Sequence, residues 1–524
     1  MNKKLKELPL STSTFKDIIE AECLYIDKTE EIYKLLEGKI KKLYFLSRPR
    51  RFGKSLLVST LESIFKGEKE LFKNLWIYDK IDFKKYPIIK IDFNNVDTST
   101  PKKLEEHLNI QLNRIASNSK VIFKNGIDYK SKFQELVIEL SKKGKVVVLI
   151  DEYDKAIIDH VDKIDIAIKN REILKTFYSS LKALDEYLHF VLITGVSKFS
   201  RVSVFSGLNN LDDITIKEEF SKILGITEEQ LYSYFDEYIK KFAKKENITT
   251  EKLKEKLKSW YNGYSWNGKD FLYNPYSLVN TFNDCEIKNY WFQSGTPTFL
   301  IKLIKNYNVN IASLEKLILY EYDFDSYEVD NINVTALFFQ TGYLTIKEVI
   351  KNDDEKEYLL SYPNKEVKES LLNNLLNSYI NNHQSNGISV NKLIKSLKDK
   401  NLKEFQIILN SIFASIPNQI FPENTTLKDK EAYYHTIFHV IFILIGTKIQ
   451  SEVSVSKGRI DSVIETDDRI YIFEFKIGRS PRVALNQIKE NNYEEKYKAS
   501  KKEIVKVGVN FSTAKRNIKN LEIK

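Results

Sequence analysis

KKLYFLSRPRRFGKSLLVSTLESIF, residues 41–65, decides the fold of the first part of the chain. The apolar run at 41–46 predicts a buried strand, and LLVSTLESIF behind it has the spacing of a helix. Between them lie Gly53, Lys54 and Ser55. Backbone N–H groups at the mouth of a helix attract anions, and glycine lets a phosphate approach closely. The stretch therefore predicts a strand, a phosphate-binding loop and a helix.

The loop departs from the usual phosphate-loop pattern at one position. G-x-x-x-x-G-K-[ST] requires a glycine at position 48, where this chain has Arg48. Lys54 is expected to neutralise the β- and γ-phosphates, and Ser55 to bind Mg²⁺. Because Arg50 and Arg51 add further charge to the loop, the pattern indicates nucleotide binding more firmly than hydrolysis.

Three further apolar runs predict strands of the same sheet. Helical patterns separate them, one over roughly 170–187, and strands that alternate with helices are typical of a parallel α/β sheet. The runs are YPIIKIDF at 86–93, KVVVLI at 145–150 and HFVLIT at 189–194.

Polar residues lie at the carboxyl ends of the third and fourth predicted strands, KVVVLI and HFVLIT. Asp151 and Glu152 come directly after KVVVLI, at the carboxyl edge of the sheet where ligands bind. Asp151 is expected to hold Mg²⁺ and Glu152 to activate water, although a solvated acidic strand end is the alternative. Thr194 is a candidate for orienting the attacking water, and Lys198 or Arg201 for meeting the γ-phosphate.

Length and composition exclude several classes of protein. A chain of 524 residues predicts two to four domains, and 42% hydrophobic residues with 17 glycines and 10 prolines exclude collagenous and largely disordered chains. No run approaches the roughly 18 apolar residues of a membrane span, and the opening residues have no apolar signal-peptide core. The sequence therefore predicts a cytoplasmic protein, with Cys23 and Cys285 as free thiols.

The net charge of +10 is concentrated near the end of the chain. Residues 448–524 contain 17 Lys and Arg against 11 Asp and Glu. A basic surface favours nucleic acid or another polyanion, although a solvated lysine-rich surface is equally compatible with the charge alone.

The remaining sequence predicts two further regions. We expect an ATPase-like domain over 1–225, a helical region over 226–420 and a small α/β domain over 421–524. The middle region is compatible with a winged-helix module or with a transmission element. Its aromatic clusters, WYNGYSW and NYWF, are more typical of a core than of base stacking. The last region has the order αβββαβ: a helix near 430–446, strands near 450–456, 459–465 and 469–476, a helix at 481–498 and a strand at 503–510.

A hairpin in this last region groups two acids and one lysine. If Asp467-Asp468 forms a two-residue turn, Asp461 lies directly opposite Glu474. Lys476, two residues further, projects from the same face as Glu474. A charge pair inside an apolar strand is costly unless it is paired or metal-bound. The geometry predicts a divalent-metal site for phosphodiester cleavage, with a structural salt bridge as the alternative.

Four more polar residues are candidates without an assigned role. Glu431 and His435 share one helix face, and Glu452 lies in the preceding strand. Either acid is a candidate to complete the metal shell. Gln487 faces back from the following helix and is a candidate to hold water or a backbone phosphate. For all four residues, an ordinary surface or core position is an equally good alternative.

These residues belong to motifs that resemble a family of bacterial and archaeal AAA-ATPase-like proteins with a C-terminal PD-(D/E)XK nuclease domain. The resemblance covers nearly the whole chain. In order, its markers are LPLSTSTFKDII, YIDKTEEI, RPRRFGKS, VVLIDEYDKAI, WYNGYSW, LYNPYSLVN, YWFQSGTPTFLI, FQTGYLTIK, EAYYHTIFH, SEVSVSKGRIDSVI and IFEFK. The family's own RPRRFGKS form also lacks the first glycine, and Ile460 here replaces the proline of the PD motif.

The resemblance implies ATP binding and a restriction-endonuclease-like final domain. Nucleotide-binding roles fall on Lys54, Ser55 and Asp151, and nuclease roles on Asp461, Glu474 and Lys476. Asp27-Lys28-Thr29 resembles an N-terminal family motif near the nucleotide, with a helix cap by Thr29 as the plain alternative.

The expected function is an ATPase coupled to a nuclease that uses Mg²⁺ or Mn²⁺ on DNA or RNA. The rival is an ATP-gated signalling or nucleic-acid-binding protein whose nuclease fold does not cleave. A GTPase is disfavoured because no N/T-K-x-D-like signature follows the sheet. The sequence leaves open whether the chain is an oligomer.

Overall fold

Five strands form one parallel sheet in the first part of the computed structural model. They are β1 Leu43–Ser47, β2 Ile88–Asp92, β3 Val146–Asp151, β4 Leu188–Gly195 and β5 Asp212–Asp213. Their order across the sheet is β2-β3-β4-β1-β5, and every neighbouring pair is parallel. The prediction of a parallel α/β sheet is therefore confirmed.

The described part of the chain has gaps at several points. It comprises residues 5–38, 41–161, 163–198, 204–205, 207–293, 298–306, 309, 311–324, 333–351, 355–379, 386–415, 436–437, 440–445, 461–477, 480–491, 493–512 and 517–524.

The described residues of the first part also contain seven α-helices, which precede or connect the strands of the sheet. Every residue of β1 and β3 is buried, as expected for inner strands covered on both faces. The helix predicted over 170–187 begins earlier, at Ile164, and ends at Ala183. The helices are α1 Phe15–Glu20, α2 Thr29–Leu36, α3 Lys54–Phe65, α4 Pro101–Asn118, α5 Tyr129–Ser141, α6 Lys155–Ile158 and α7 Ile164–Ala183.

In its described residues, the middle region is mostly helical, with two small antiparallel sheets of three and two strands. Thr227 and Gln230 form a capping box that begins its first helix, because each side chain accepts the other's backbone N–H. Its elements are α8 Glu228–Glu246, α9 Thr250–Tyr261, β6 Asn262–Tyr264, β7 Leu272–Tyr273, α10 Pro275–Asp284, α11 Tyr290–Gln293, α12 Thr298–Asn306, β8 Leu317–Tyr320, α13 Val334–Gln340, β9 Thr345–Lys351, β10 Lys356–Ser361, α14 Lys365–Tyr379, α15 Asn386–Lys398 and α16 Leu402–Ala414.

The final region contains a four-stranded mixed sheet. Its elements are β11 Asp461–Glu465, β12 Arg469–Ile477, α17 Pro481–Glu490, β13 Glu503–Ser512 and β14 Asn517–Ile523. The strand order is β11-β12-β13-β14, with β12 and β13 parallel and the other two pairs antiparallel. Helix α17 packs through Leu485 and Ile488 on one face, and Phe405 of α16 contacts Phe473 on the other.

Two predictions for this region need correction. The helix predicted over 481–498 ends at Glu490, and β14 was not predicted. A register shift between Asn510 and Phe511 in β13 breaks regular pairing with β14. The apolar alternation that reveals a strand is therefore interrupted. The strand predicted at 450–456 lies outside the described residues, and the helix predicted near 430–446 is described only at 436–437 and 440–445, which are helical.

By internal contacts, the chain divides into two units. The first comprises Met1–Phe299 with Lys316–Glu366, and the second Leu300–Glu315 with Val367–Lys524. The first unit thus combines the parallel sheet with much of the middle region, whereas the division at 225 and 420 stays a prediction. Within the described ranges, no helix combines the length and apolar character needed to cross a membrane.

Candidate functional site

The loop between β1 and α3 has the backbone shape of a phosphate-binding loop. Gly53 has φ 101°, in the left-handed region, and stands directly before Lys54 at the start of the helix. A Cβ at this glycine would meet only Leu224 Cδ2, at 3.7 Å. The backbone conformation, rather than lack of space, therefore requires glycine here.

Lys54 is buried and is held by its own loop. Its Nζ donates to the carbonyl oxygens of Arg48 at 2.9 Å and Pro49 at 3.0 Å. Burial lowers the pKa of Lys54, while the charges of Asp151 and Glu152 act in the opposite direction. A triphosphate would supply the stronger acceptors that this ammonium lacks in the loop.

The side chains of Ser55 and Asp151 lie together at the carboxyl edge of the sheet, and their predicted role as Mg²⁺ ligands stays a prediction. Burial raises the pKa of Asp151 to about 6, and a hydrogen bond from Ser55 and the charge of Lys54 oppose this rise. A serine hydroxyl beside a carboxylate is a suitable pair of ligands for Mg²⁺. Glu152 follows with φ 52°, a strained conformation for a residue other than glycine, and such strain clusters at functional sites.

A cavity of about 650 Å³ opens in front of this loop. Lys54, Ser55 and Glu152 are among the residues that line it. The lining mixes charged side chains, such as Lys28, Arg50 and Arg51, with apolar ones from the N-terminal segment and from residues 223–279, including Leu10, Ile26, Leu224, Ile226 and Val279. The cavity therefore combines charged groups suited to phosphates with apolar surface suited to a base.

Arg48 does not reach this cavity. Its side chain is 0% exposed, and its guanidinium donates to the carbonyl oxygens of Thr215 at 2.8 Å and Phe220 at 3.2 Å. It also lies over the ring of Trp266, 4.0 Å from the centroid. Burial lowers the pKa of Arg48 to about 9. Arg48 therefore stabilises the loop through contacts on the side that does not face the cavity.

The residue predicted to orient water is engaged in the backbone. Thr194 is buried, and its Oγ1 donates to the Leu46 carbonyl oxygen at 2.9 Å. Lys198 forms an ion pair with Asp213 at 2.8 Å, and Arg201 lies outside the described residues. The roles suggested for these three residues stay predictions.

Asp154 was missed by sequence reasoning. It is buried, and its Oδ2 accepts hydrogen bonds from the Ser197 backbone N–H at 2.6 Å and the Ser197 hydroxyl at 2.7 Å. It therefore shapes the turn that follows β4. A third acid after Asp151 and Glu152 in LIDEYD was the available signal.

Asp27, Lys28 and Thr29 lie beside the cavity. Asp27 Oδ1 accepts from the Thr29 backbone N–H at 2.8 Å and hydroxyl at 2.7 Å, so Asp27 rather than Thr29 supplies the acceptor at the start of α2. Lys28 lines the cavity and donates to Gln230 Oε1 at 2.7 Å. Burial lowers the pKa of Lys28 to about 7.

The second candidate site lies on the hairpin of the final region. Asp461 pairs directly with Glu474, and Thr466 N–H donates to the Arg469 carbonyl oxygen at 2.7 Å across the turn. The predicted register is confirmed. The Asp461 side chain lies outside the described part of the structure.

Glu474 is a buried carboxylate that is only partly satisfied. It is 1% exposed, and its Oε1 accepts a hydrogen bond from Lys476 Nζ at 2.8 Å. Its Oε2 is buried and accepts no hydrogen bond from the described residues. A buried oxygen without a partner is costly, and a bound cation would relieve this cost. No three described His, Cys, Asp or Glu side chains converge as a metal set.

Two residues of β13 adjoin this pair. Gly508 pairs with Glu474 and Asn510 with Lys476 in the parallel register. A Cβ at Gly508 would lie 2.4 Å from the Pro481 carbonyl oxygen, so α17 approaches the sheet closely here. Asn510 is 7% exposed, and its Oδ1 has no described hydrogen-bond partner. Asn510 was missed because its position depends on strand pairing.

The remaining candidates are only partly placed. Gln487 lies on α17, where its Nε2 is buried and donates to no described acceptor. Glu431, His435 and Glu452 lie outside the described residues. In the middle region, Trp266 and Trp291 are buried, which agrees with the prediction that the aromatic clusters form a core.

The comparisons with known proteins agree with the two predicted domain families. A glycine–lysine–serine loop at a helix start, beside a strand-end aspartate, defines the phosphate-loop class of α/β proteins. Residues 9–205 match the family described as "Predicted AAA-ATPase", and residues 429–521 match the "PD-(D/E)XK nuclease superfamily". The "Uncharacterized protein in vnfD 5'region" of Azotobacter chroococcum mcd 1 is 35% identical over 519 residues, with 98% of each chain covered. The chain belongs to the family of AAA-ATPase-like proteins with a C-terminal PD-(D/E)XK nuclease domain.

Proposed function

We propose that the chain binds and hydrolyses ATP and couples this activity to Mg²⁺-dependent cleavage of DNA or RNA phosphodiesters. The observation that carries the nuclease part is the register of Asp461 and Glu474, beside an oxygen of Glu474 that lacks a described partner. The phosphate loop and its cavity support the nucleotide part.

In the nucleotide site, each predicted residue has a distinct role. The Lys54 ammonium gives up its hydrogen bonds to the carbonyl oxygens of Arg48 and Pro49 and binds the β- and γ-phosphates instead. Ser55 and Asp151 hold Mg²⁺. Glu152 polarises the attacking water, and the apolar side chains of the cavity lining contact the adenine.

In the hairpin site, Asp461 and Glu474 hold the divalent ion, which is Mg²⁺ or Mn²⁺. Directly opposed residues of an antiparallel pair share a face of the sheet, which favours joint ligation. An ion held by these two residues would supply Lewis-acid chemistry, that is, polarisation of a phosphate oxygen and a lower pKa for its water. Lys476 stabilises the charge that develops at the scissile phosphate.

Nucleic acid is the proposed partner of the final region. Its basic charge supplies a sequence-independent attraction to phosphates, and the Lys476 ammonium adds a local one. We place the protein in the cytoplasm, where ATP and Mg²⁺ are both abundant.

One observation favours the rival function. Glu474 and Lys476 form an ion pair of 2.8 Å with side chains 1% and 15% exposed, which is also the geometry of a structural salt bridge. In that case the protein grips nucleic acid under ATP control without cleaving it.

Incubation of the purified chain with single- and double-stranded DNA and RNA separates these functions. Each substrate is tested with and without ATP, and with Mg²⁺, Mn²⁺ or EDTA. Metal-dependent products support the nuclease, whereas binding without products supports the rival. Parallel measurement of phosphate release tests ATP hydrolysis.

A further inference from the structure

The phosphate loop is held by aromatic residues from a distant part of the chain. The indole N–H of Trp291 donates to the carbonyl oxygen of Arg50 at 3.0 Å. Phe52 packs edge-on against Trp266, with ring centroids 5.2 Å apart. The loop's shape therefore depends on side chains that lie outside the parallel sheet.

The same tryptophan is bonded to a buried acid. The backbone N–H of Trp291 donates to Glu366 Oε1 at 2.8 Å, and the Ser277 hydroxyl donates to Glu366 Oε2 at 2.8 Å. Glu366 is 0% exposed and Trp291 is 5% exposed. Because water does not replace buried hydrogen bonds readily, these contacts constrain the position of Trp291.

Glu366 lies where the chain leaves the first unit. It is the second residue of α14, and Val367 is assigned to the second unit. Trp291 thus contacts the phosphate loop through its ring and the start of α14 through its backbone. This continuous path consists of buried hydrogen bonds within one unit.

Nucleotide would act at the first step of this path. Lys54 donates to the carbonyl oxygens of Arg48 and Pro49, the two residues directly before Arg50. Transfer of this ammonium to phosphate removes two hydrogen bonds from the loop, while Arg50 stays bonded to Trp291. Because Arg50 is hydrogen-bonded to Trp291, a shift of the loop would also displace Trp291.

We propose that Trp291 is a positioning residue of the nucleotide site, which links the state of the phosphate loop to Glu366 and the start of α14. The inference rests on the proposed function, since nucleotide is taken as the occupant of the loop. It assigns a regulatory role to the aromatic segment that contains Trp291, which has no part in the proposed catalytic chemistry.

The first test needs no nucleotide. Glu366→Leu removes the acceptor of the Trp291 backbone N–H without touching the loop, and Glu366→Gln keeps an acceptor. Hydrogen exchange of the full chain, followed by mass spectrometry, should be about fivefold faster in residues 50–57 of Glu366→Leu, which corresponds to one lost hydrogen bond. Glu366→Gln should match the unmodified protein. Equal loop exchange in all three proteins would overturn the proposal.

The second test uses Trp291→Phe with ATP and Mg²⁺. This variant keeps a ring but loses the donor to Arg50, so the ATP-induced exchange change in residues 366–379 should disappear while the loop still responds. Trp76→Phe, outside the cavity lining, is the matched control and should respond like the unmodified chain. An unchanged response of residues 366–379 in Trp291→Phe would contradict the link. If ATP leaves the loop of the unmodified chain unaffected, the proposed nucleotide site fails, and the nucleotide-free test still decides on the link.

Discussion

The Lys54 ammonium donates a 2.9 Å hydrogen bond to the carbonyl oxygen of Arg48, the residue at the position of the missing first glycine. The loop thus satisfies its own lysine internally. Arg48 in turn is fixed by carbonyl groups that follow the sheet, at Thr215 and Phe220. Arg48 therefore has a structural role at the position of the missing glycine. Because its side chain does not reach the cavity, it does not prevent Lys54 from binding phosphate.

Replacing Lys54 should abolish tight nucleotide binding. Lys54→Met is expected to weaken ATP affinity by about 10- to 100-fold, because hydrogen bonds to charged groups contribute about 1.5–3 kcal/mol. Isothermal titration calorimetry measures the change. Lys66→Met is the control, since Lys66 follows the same helix and pairs with Glu62 on the surface. Equal ATP affinity for both variants would contradict the assignment.

Placing glycine at position 48, as the usual phosphate-loop pattern requires, should destabilise the protein. Arg48→Gly leaves the Thr215 and Phe220 carbonyl groups without their donor and opens a void under Trp266. We expect the free energy of unfolding to fall by about 3 kcal/mol or more. Urea denaturation at several wavelengths provides the measurement.

The matched control lies three residues further along the loop. Arg51 is exposed and has φ 63°, a conformation that glycine adopts without strain. Arg51→Gly should therefore change the free energy of unfolding by no more than about 1 kcal/mol. A larger loss for Arg51→Gly than for Arg48→Gly would refute the role given to Arg48.

The buried acid Glu366 should make stability depend on pH. Burial raises the pKa of Glu366 from 4.5 to about 8, so the folded state retains a proton that the unfolded state releases. Its favourable contribution is complete below pH 4.5 and is lost as pH rises to about 8. Relative to Glu366→Gln, the unmodified protein should lose up to a few kcal/mol across this window. Denaturant unfolding of both proteins between pH 5 and 9 tests this, and a constant difference would disprove it.

Asn510 should matter for cleavage more than for folding. Its Oδ1 is buried without a described partner beside Lys476, so Asn510→Leu is expected to raise the free energy of unfolding by about 1 kcal/mol. We propose that the Asn510 Oδ1 holds a water molecule next to Lys476, so cleavage should nevertheless fall. Asn491→Leu, at the exposed end of α17, is the control. Full activity in Asn510→Leu would rule out this role.

Local sequence signals predicted the central strands and the hairpin. β1 and β3 are continuous apolar runs, and a two-residue turn fixes the pairing of Asp461 with Glu474 by simple alternation. The function of Arg48 was not predictable in this way. It depends on carbonyl groups more than 160 residues away, which only the tertiary fold brings to it. Asn510 likewise gains its place through the parallel pairing of β12 with β13.

Cleavage by Lys476→Ala tests the central claim most directly. Labelled single- and double-stranded DNA and RNA are incubated with the unmodified chain, with Lys476→Ala, and with Lys489→Ala, which changes an exposed lysine of α17. We predict Mg²⁺- or Mn²⁺-dependent products from the unmodified chain and Lys489→Ala, and at least about 100-fold slower cleavage by a folded Lys476→Ala. Undiminished cleavage by Lys476→Ala, or no product from any of the four substrates, would contradict the account.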